Sequence, residues 1–218
     1  MQNQPLSSAP PLQIKVCGLN EPANLAAVAA LTPDFVGLIF AGKSPRHALA
    51  LDAAAVRALP AGPRKVGVFV DATTAEILSR QVEFRLNAVQ LHGHETPAQC
   101  AEVRAAGLLV IKAFGVGATF DFAQLAPYVP VCDYFLFDTQ GARAGGNGLT
   151  FDWSILESYP WSTPYLLAGG LTPAHAEALR ALRLPGLAGV DLNSGFETKP
   201  GLKDASLLQL TFNTLRAS

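Results

Sequence analysis

The stretch from Lys65 to Phe114 reads KVGVFV DATTAEILSRQVEFRLN AVQL HGHETPAQCAEVRAAG LLVIKAF. Three short apolar runs, Lys65–Val70, Ala88–Leu91 and Leu108–Ala113, carry the β-branched and aromatic residues of buried strands. Between them, Thr74–Val82 and Pro97–Ala106 read as helices. Thr96 ahead of Pro97 supplies a capping hydroxyl and a proline at the first helical position. Strand, helix, strand, helix, strand at this spacing is the signature of a parallel sheet joined by crossover helices.

The same alternation extends in both directions. Gln13–Cys17 and Phe35–Phe40 precede the stretch, and Tyr134–Phe137, Tyr165–Ala168 and Leu187–Leu192 follow it, which makes eight strands. Glu21–Leu31, Asp52–Leu59 and Pro173–Leu182 read as further helices, with Thr172 and Pro173 repeating the start signal. Asp204–Leu215 closes the chain as a helix whose Leu208, Phe212 and Leu215 recur at i, i+4 and i+7, the stripe of one packed face. Eight such units on this length suggest a (β/α)₈ barrel or an open doubly wound sheet. No Gly-x-Gly-x-x-Gly follows the first strand, so the dinucleotide-binding form of the open sheet is disfavoured. Residues 1–12 read as a flexible tail and residues 13–218 as one α/β domain.

Composition narrows the function. The 218 residues carry 16 Lys and Arg against 17 Asp and Glu; half are hydrophobic and only 15% are charged. Heavy burial follows, and with no basic run neither nucleic acid nor an anionic membrane surface is an expected partner. The longest stretch free of Asp, Glu, Lys and Arg, Ser158–Ala176, contains Pro160, Pro164, Pro173 and Gly169–Gly170, so it is no spanning helix. Three widely spaced cysteines suit neither a disulfide framework nor a zinc cluster, and point to a reducing cytoplasm.

Ligands of α/β folds collect beyond the carboxyl ends of the strands. Those ends here are Cys17–Gly18, Phe40 before Ser44–Pro45–Arg46, Asp71, Gln90 to Gly93, Lys112 to Phe114, Asp138 before Gly141–Gly148, Gly169–Gly170, and Asp191 to Gly195. The loops holding Gly169, Gly170, Ser194 and Gly195 follow the last two strands, where a barrel commonly offers backbone N–H groups to a phosphate. Either loop alone could be a tight turn. Both together favour phosphate.

In combination these segments resemble the phosphoribosylanthranilate isomerase family. The resemblance rests on Lys15-Val16-Cys17-Gly18-Leu19, Phe35 to Phe40 with Ser44-Pro45-Arg46, Val66 to Val70, Val89 to Gly93, Phe137-Asp138, Gly145 to Gly148 with Phe151-Asp152-Trp153, Leu167 to Leu171, and Gly189 to Glu197 leading to Gly201 through Asp204. It implies a (β/α)₈ TIM barrel, no cofactor, and the Amadori rearrangement of N-(5-phosphoribosyl)anthranilate in tryptophan biosynthesis. By the same resemblance Cys17 is the general base, Asp138 the general acid, and Arg46 the residue holding the anthranilate carboxylate. Asn20 and Asn147 stand where the family commonly has Thr. The implied partner is a small phosphorylated molecule, and the chain is expected to be a monomer or homodimer.

These roles carry chemical requirements. An acid and a base must face one sugar from opposite sides. Asp138 needs surroundings that favour its protonated form, for which Phe135 and Phe137 are the candidates, and Cys17 needs a cation or helix start to become thiolate. His92 is read as a polar group lining the mouth. His92, His94 and Glu95 could suggest a metal, but no further ligand lies nearby in sequence, so none is expected. Lys15 should share the inward face with Cys17 and pair with a carboxylate such as Asp191. Lys112 is read as a barrel-lining structural charge rather than a Schiff-base lysine. Cys100 and Cys132 read as core residues. Indole-glycerol-phosphate synthase, ribulose-phosphate epimerase and a non-catalytic phosphate-binding barrel are the competing readings; the Cys17 and Asp138 pair suits none of them.

Overall fold

The computed structural model describes residues 11–139 and 152–217. Eight parallel strands, β1 (Gln13–Cys17), β2 (Phe35–Ile39), β3 (Arg64–Phe69), β4 (Ala88–Leu91), β5 (Leu109–Val116), β6 (Tyr134–Thr139), β7 (Tyr165–Leu167) and β8 (Leu187–Leu192), close into a barrel in chain order. The β1–β8 ladder, with Lys15 opposite Asp191, completes the ring. The open-sheet alternative is thereby removed.

Two apolar layers hold it together. Phe35, Val66, Ala88, Ile111, Ala113, Leu136, Leu166 and Ala168 fill the barrel interior. Their sequence neighbours Val36, Val89, Val110, Phe135, Phe137 and Leu167 belong to a larger cluster between barrel and helices. This period of two sends alternate side chains to opposite faces and decides which polar residues reach the mouth.

The outer layer is made of α1 (Pro22–Ala30), α2 (Ala53–Arg57), α3 (Thr74–Phe84), α4 (Pro97–Ala105), α5 (Ala176–Ala181) and α6 (Ala205–Arg216). Thr96 caps α4 as expected, its hydroxyl accepting from the Gln99 N–H at 3.2 Å. Leu208, Phe212 and Leu215 of α6 are buried as their spacing requires. The expected helix at Pro173 begins instead as a 3₁₀ turn, Pro173–His175, before α5. There His175 Nδ1 accepts from the Thr172 N–H at 3.0 Å. The crossover after β5 carries a 3₁₀ segment, Phe122–Tyr128, and the described part of the one after β6 carries another, Trp153–Ser158. Pro127 sits inside the first of these; with no N–H to donate, it disfavours a regular α-helix there. An unanticipated hairpin, β9 (Glu197–Lys199) with β10 (Leu202–Lys203), lies between β8 and α6.

Residues 1–10 of the expected tail and the glycine-rich Gly141–Gly148 with Asn147 lie outside the described residues, whereas Leu12 packs against the core. No described helix is long and apolar enough to cross a membrane.

Candidate active site

Cys17 ends β1, facing inward and nearly inaccessible. Its ladder partner is Gly37 of β2. A Cβ on Gly37 would stand 2.7 Å from the Cys17 sulfur, so the missing side chain is the space the thiol occupies. Two residues below, Lys15 Nζ donates to Asp191 Oδ2 at 2.8 Å, with both groups buried. The expected pair is therefore formed. Burial opposes the charged ammonium, but Asp191 and Cys17 outweigh it and hold Lys15 above the ordinary lysine value. Burial likewise pushes the Cys17 thiol up, and the adjacent ammonium recovers only part of that. Lys15 is thus the cation that the thiolate needs, although the thiol remains the favoured form.

Asp138 sits on the inward face of β6 with Leu136. Its Oδ2 lies 3.5 Å from His92 Nε2, and both side chains are about one-third exposed. His92 Nδ1 meets the Gln90 amide nitrogen at 2.8 Å. The Gln90 amide thus fixes the orientation of the ring, which turns Nε2 toward Asp138. The apolar surroundings expected from Phe135 and Phe137 are not there. Those rings occupy the opposite face of the strand, packed edge-on or tilted against Phe114, Phe122, Tyr159 and Tyr165 in the helix layer. What adjoins the carboxylate is polar.

Arg46, in the loop after β2, lays its side chain over Gly18; a Cβ there would meet Arg46 Cδ at 2.9 Å. Its guanidinium is held by Glu197, with Nε 3.0 and 2.9 Å from the two carboxylate oxygens and Nη2 2.8 Å from Oε2. Arg46 therefore stands beside the residue that follows Cys17.

The two glycine loops meet. Gly169, with φ +88°, passes so close to Asp138 and Thr139 that a Cβ would collide with both. Gly170 is also left-handed, at φ +62°. Gly195 packs on the Leu171 carbonyl, and a Cβ there would clash with it. Ser194 opens a 3₁₀ turn, Ser194–Phe196, rather than the following helix. The N–H groups of Gly170 and Gly195 donate no backbone hydrogen bond among the described residues. That of Thr172 is taken by His175.

Two candidates fall away from the mouth. Lys112 lies between the inward-facing Ile111 and Ala113, so it points outward and does not line the barrel, contrary to expectation. Its Nζ binds the carbonyls of Leu91, Gly93 and Ala113 and pairs with Glu95 at 3.1 Å. His94 turns to Asp71, at 3.2 Å, and away from His92. Among the described residues no three His, Cys, Asp or Glu side chains converge on a metal position.

The family described as N-(5'phosphoribosyl)anthranilate (PRA) isomerase matches residues 14–214. The chain belongs to this family. An N-(5'-phosphoribosyl)anthranilate isomerase from Parabacteroides distasonis is 44% identical over 198 residues, covering 90% of each chain. The crystal structure of phosphoribosyl anthranilate isomerase from Thermotoga maritima superposes with a TM-score of 0.84 at 32% identity, covering 95% of this chain and 100% of that one. A crystal structure of the enzyme in complex with reduced 1-(o-carboxyphenylamino)-1-deoxyribulose 5-phosphate gives 0.81 at 30% identity, with coverage of 95% and 100%.

In this phosphoribosylanthranilate isomerase barrel, two residues that the sequence left without a role adjoin the site. Gly37 makes room for the Cys17 thiol, and Glu197 holds Arg46. Glu197 lies 151 positions from its partner, a separation no local pattern reveals. Asn20, one of the two departures from the family pattern, packs its amide against Gly201 of the hairpin turn, where a Cβ would clash.

Proposed function

We infer that this chain converts N-(5'-phosphoribosyl)anthranilate to 1-(o-carboxyphenylamino)-1-deoxyribulose 5-phosphate, a step of tryptophan biosynthesis, in the cytoplasm and without a cofactor. The mechanistic reading is supported by the positions of Cys17, at the end of β1, and Asp138, near the end of β6, both on inward faces at the same mouth.

Asp138 donates a proton to the furanose ring oxygen as the C1'–O bond breaks, leaving an iminium at C1'. Cys17, acting as its thiolate, then takes the C2' proton to become the thiol, and the electron pair moves to give the enolamine. Ketonisation follows: C1' gains a proton, O2' loses one, and the C2' carbonyl forms. The Lys15 ammonium favours the Cys17 thiolate, whose negative charge is lost as it takes the proton. His92 Nε2, 3.5 Å from the Asp138 carboxyl, is the polar group beside the acid as it gives up its proton. Arg46 receives the anthranilate carboxylate as a charge-assisted pair. The N–H groups around Gly169, Gly170, Ser194 and Gly195 receive the phosphate, which explains how a chain of net charge −1 handles an anionic substrate.

Cys17→Ala and Asp138→Asn should each lower turnover roughly 10²–10⁴-fold, followed as loss of substrate fluorescence, while a phosphate-bearing product analogue still binds. Undiminished turnover in either variant removes the role assigned to that residue.

A further inference from the structure

Glu197 stands where a carboxylate would be least expected, on the guanidinium that receives an anionic substrate. Paired with Arg46 alone it would cancel the charge needed there. It is not paired with Arg46 alone. Lys203 Nζ, on a fully buried side chain, approaches Glu197 Oε1 at 2.6 Å, and the Gly201 N–H donates to the same oxygen at 3.0 Å. Lys203 is held in turn by the Asn193 side-chain oxygen at 2.7 Å, at the end of β8, while Asn24 of α1 bonds its backbone on both sides. Burial works against an ionised Glu197, but the hydrogen bonds from Arg46 and Lys203 prevail and keep it below the ordinary glutamate value. Two cations thus share one anion, and the cluster keeps a net charge of +1.

The geometry of that sharing is specific. Glu197 engages the Nε and Nη2 edge of Arg46, whereas Nη1 donates no hydrogen bond among the described residues. The Arg46 side chain is only 12% exposed and that of Glu197 only 4%. A free arginine would have to be ordered on binding, and its order here is supplied in advance. We infer that Glu197 is the positioning residue of Arg46. It clamps one edge of the guanidinium so that the other is presented to the substrate's aromatic carboxylate, and Lys203 preserves the positive charge of the site. This rests on the reading of Arg46 given above.

The test is a double-mutant cycle on the full chain, with kcat and KM for phosphoribosylanthranilate and Ki for ribose 5-phosphate, which lacks the aromatic carboxylate. Glu197→Gln should raise KM about tenfold, the size of one charge-assisted hydrogen bond. It should change kcat less than about twofold and leave the ribose 5-phosphate Ki unmoved, a split that general loss of structure would not produce. On an Arg46→Ala background the same substitution should add nothing, because its effect passes through Arg46. Glu197→Asp keeps the charge that Lys203 requires while withdrawing the carboxylate by one methylene. It should show a smaller KM effect of the same kind, and it serves if the Gln variant does not fold. An unchanged KM in both variants, a raised Ki for ribose 5-phosphate, or a full additional KM effect on the Arg46→Ala background overturns the inference. If Arg46→Ala itself leaves KM unchanged, the reading of Arg46 falls and the inference falls with it; if Arg46→Ala raises KM and Glu197→Gln does not, only the inference falls.

Discussion

Gly37 faces Cys17 across the β1–β2 ladder so closely that a Cβ would come within 2.7 Å of the sulfur and 3.1 Å of the Cys17 Cα. Because one of these contacts is to backbone, the neighbour cannot turn away as a flexible side-chain end would. Gly37→Ala should therefore displace the thiol and cost roughly 1–3 kcal/mol of stability, as overpacking does. It should lower kcat by more than about tenfold, since small misplacements of a reacting group are expensive. Chemical denaturation and steady-state kinetics read the two effects separately, and a variant of unimpaired kcat would show that the thiol does not depend on this space.

The Lys15–Asp191 pair spans β1 and β8 directly beneath the mouth, with side-chain exposures of 0% and 8%. Removing one partner leaves a buried charge without compensation, and Lys15→Met should destabilise the chain by about 3–5 kcal/mol. Replacing both, as in Lys15→Met with Asp191→Leu, should recover most of that loss in urea unfolding. Activity should not return with it, because the ammonium beside Cys17 is gone. Recovery of both stability and activity would mean that Lys15 serves the fold alone.

All eight strands were legible because parallel strands covered on both faces are written as short apolar runs, and Ala88–Leu91 and Leu187–Leu192 match residue for residue. β5 and β6 continue to Val116 and Thr139, beyond the apolar runs that suggested their ends, because the ladder between them goes on to pair Gly115 with Asp138 and Val116 with Thr139. The facing of Asp138 away from Phe135 and Phe137 was implicit in the period of two, yet adjacency along the chain suggested the opposite. Lys112 was misplaced for the same reason, since its neighbours Ile111 and Ala113 claim the interior. The Glu197–Arg46 clamp had no local signal, because it joins the loop after β2 to the hairpin after β8, 151 positions apart along the chain.

Lys112 supplies a third test. Its Nζ is engaged by three carbonyls and by Glu95, and it lies on the outer side of β5, so it has no path to a sugar bound in the mouth. Borohydride added during turnover should trap no substrate adduct on this residue, as judged by mass spectrometry of the digested protein. A Lys112 adduct would place a Schiff base in the reaction and displace the acid–base scheme.

The Cys17 thiol gives a prediction in which pH acts on stability and chemistry together. Burial raises its proton affinity above the ordinary value, Lys15 and Lys203 only partly offsetting this. Below about pH 8.5, the unperturbed thiol value, folded and unfolded chains both keep the proton, and the contribution to stability is complete. Above it the unfolded chain ionises while the folded chain does not. The folded state then binds more protons, and stability falls as pH rises, by at most about 1.4 kcal/mol per pH unit, until the folded thiol titrates. Cys17→Ser removes this slope, so the difference between wild-type and variant urea midpoints at pH 8, 9 and 10 should shrink steadily, whatever other groups titrate in both. Thiolate absorbance near 240 nm, taken as wild type minus variant, should likewise appear only on the alkaline side of that unperturbed value. A difference spectrum already saturated at neutral pH would show that Lys15 outweighs burial and that the base is ionised before substrate arrives.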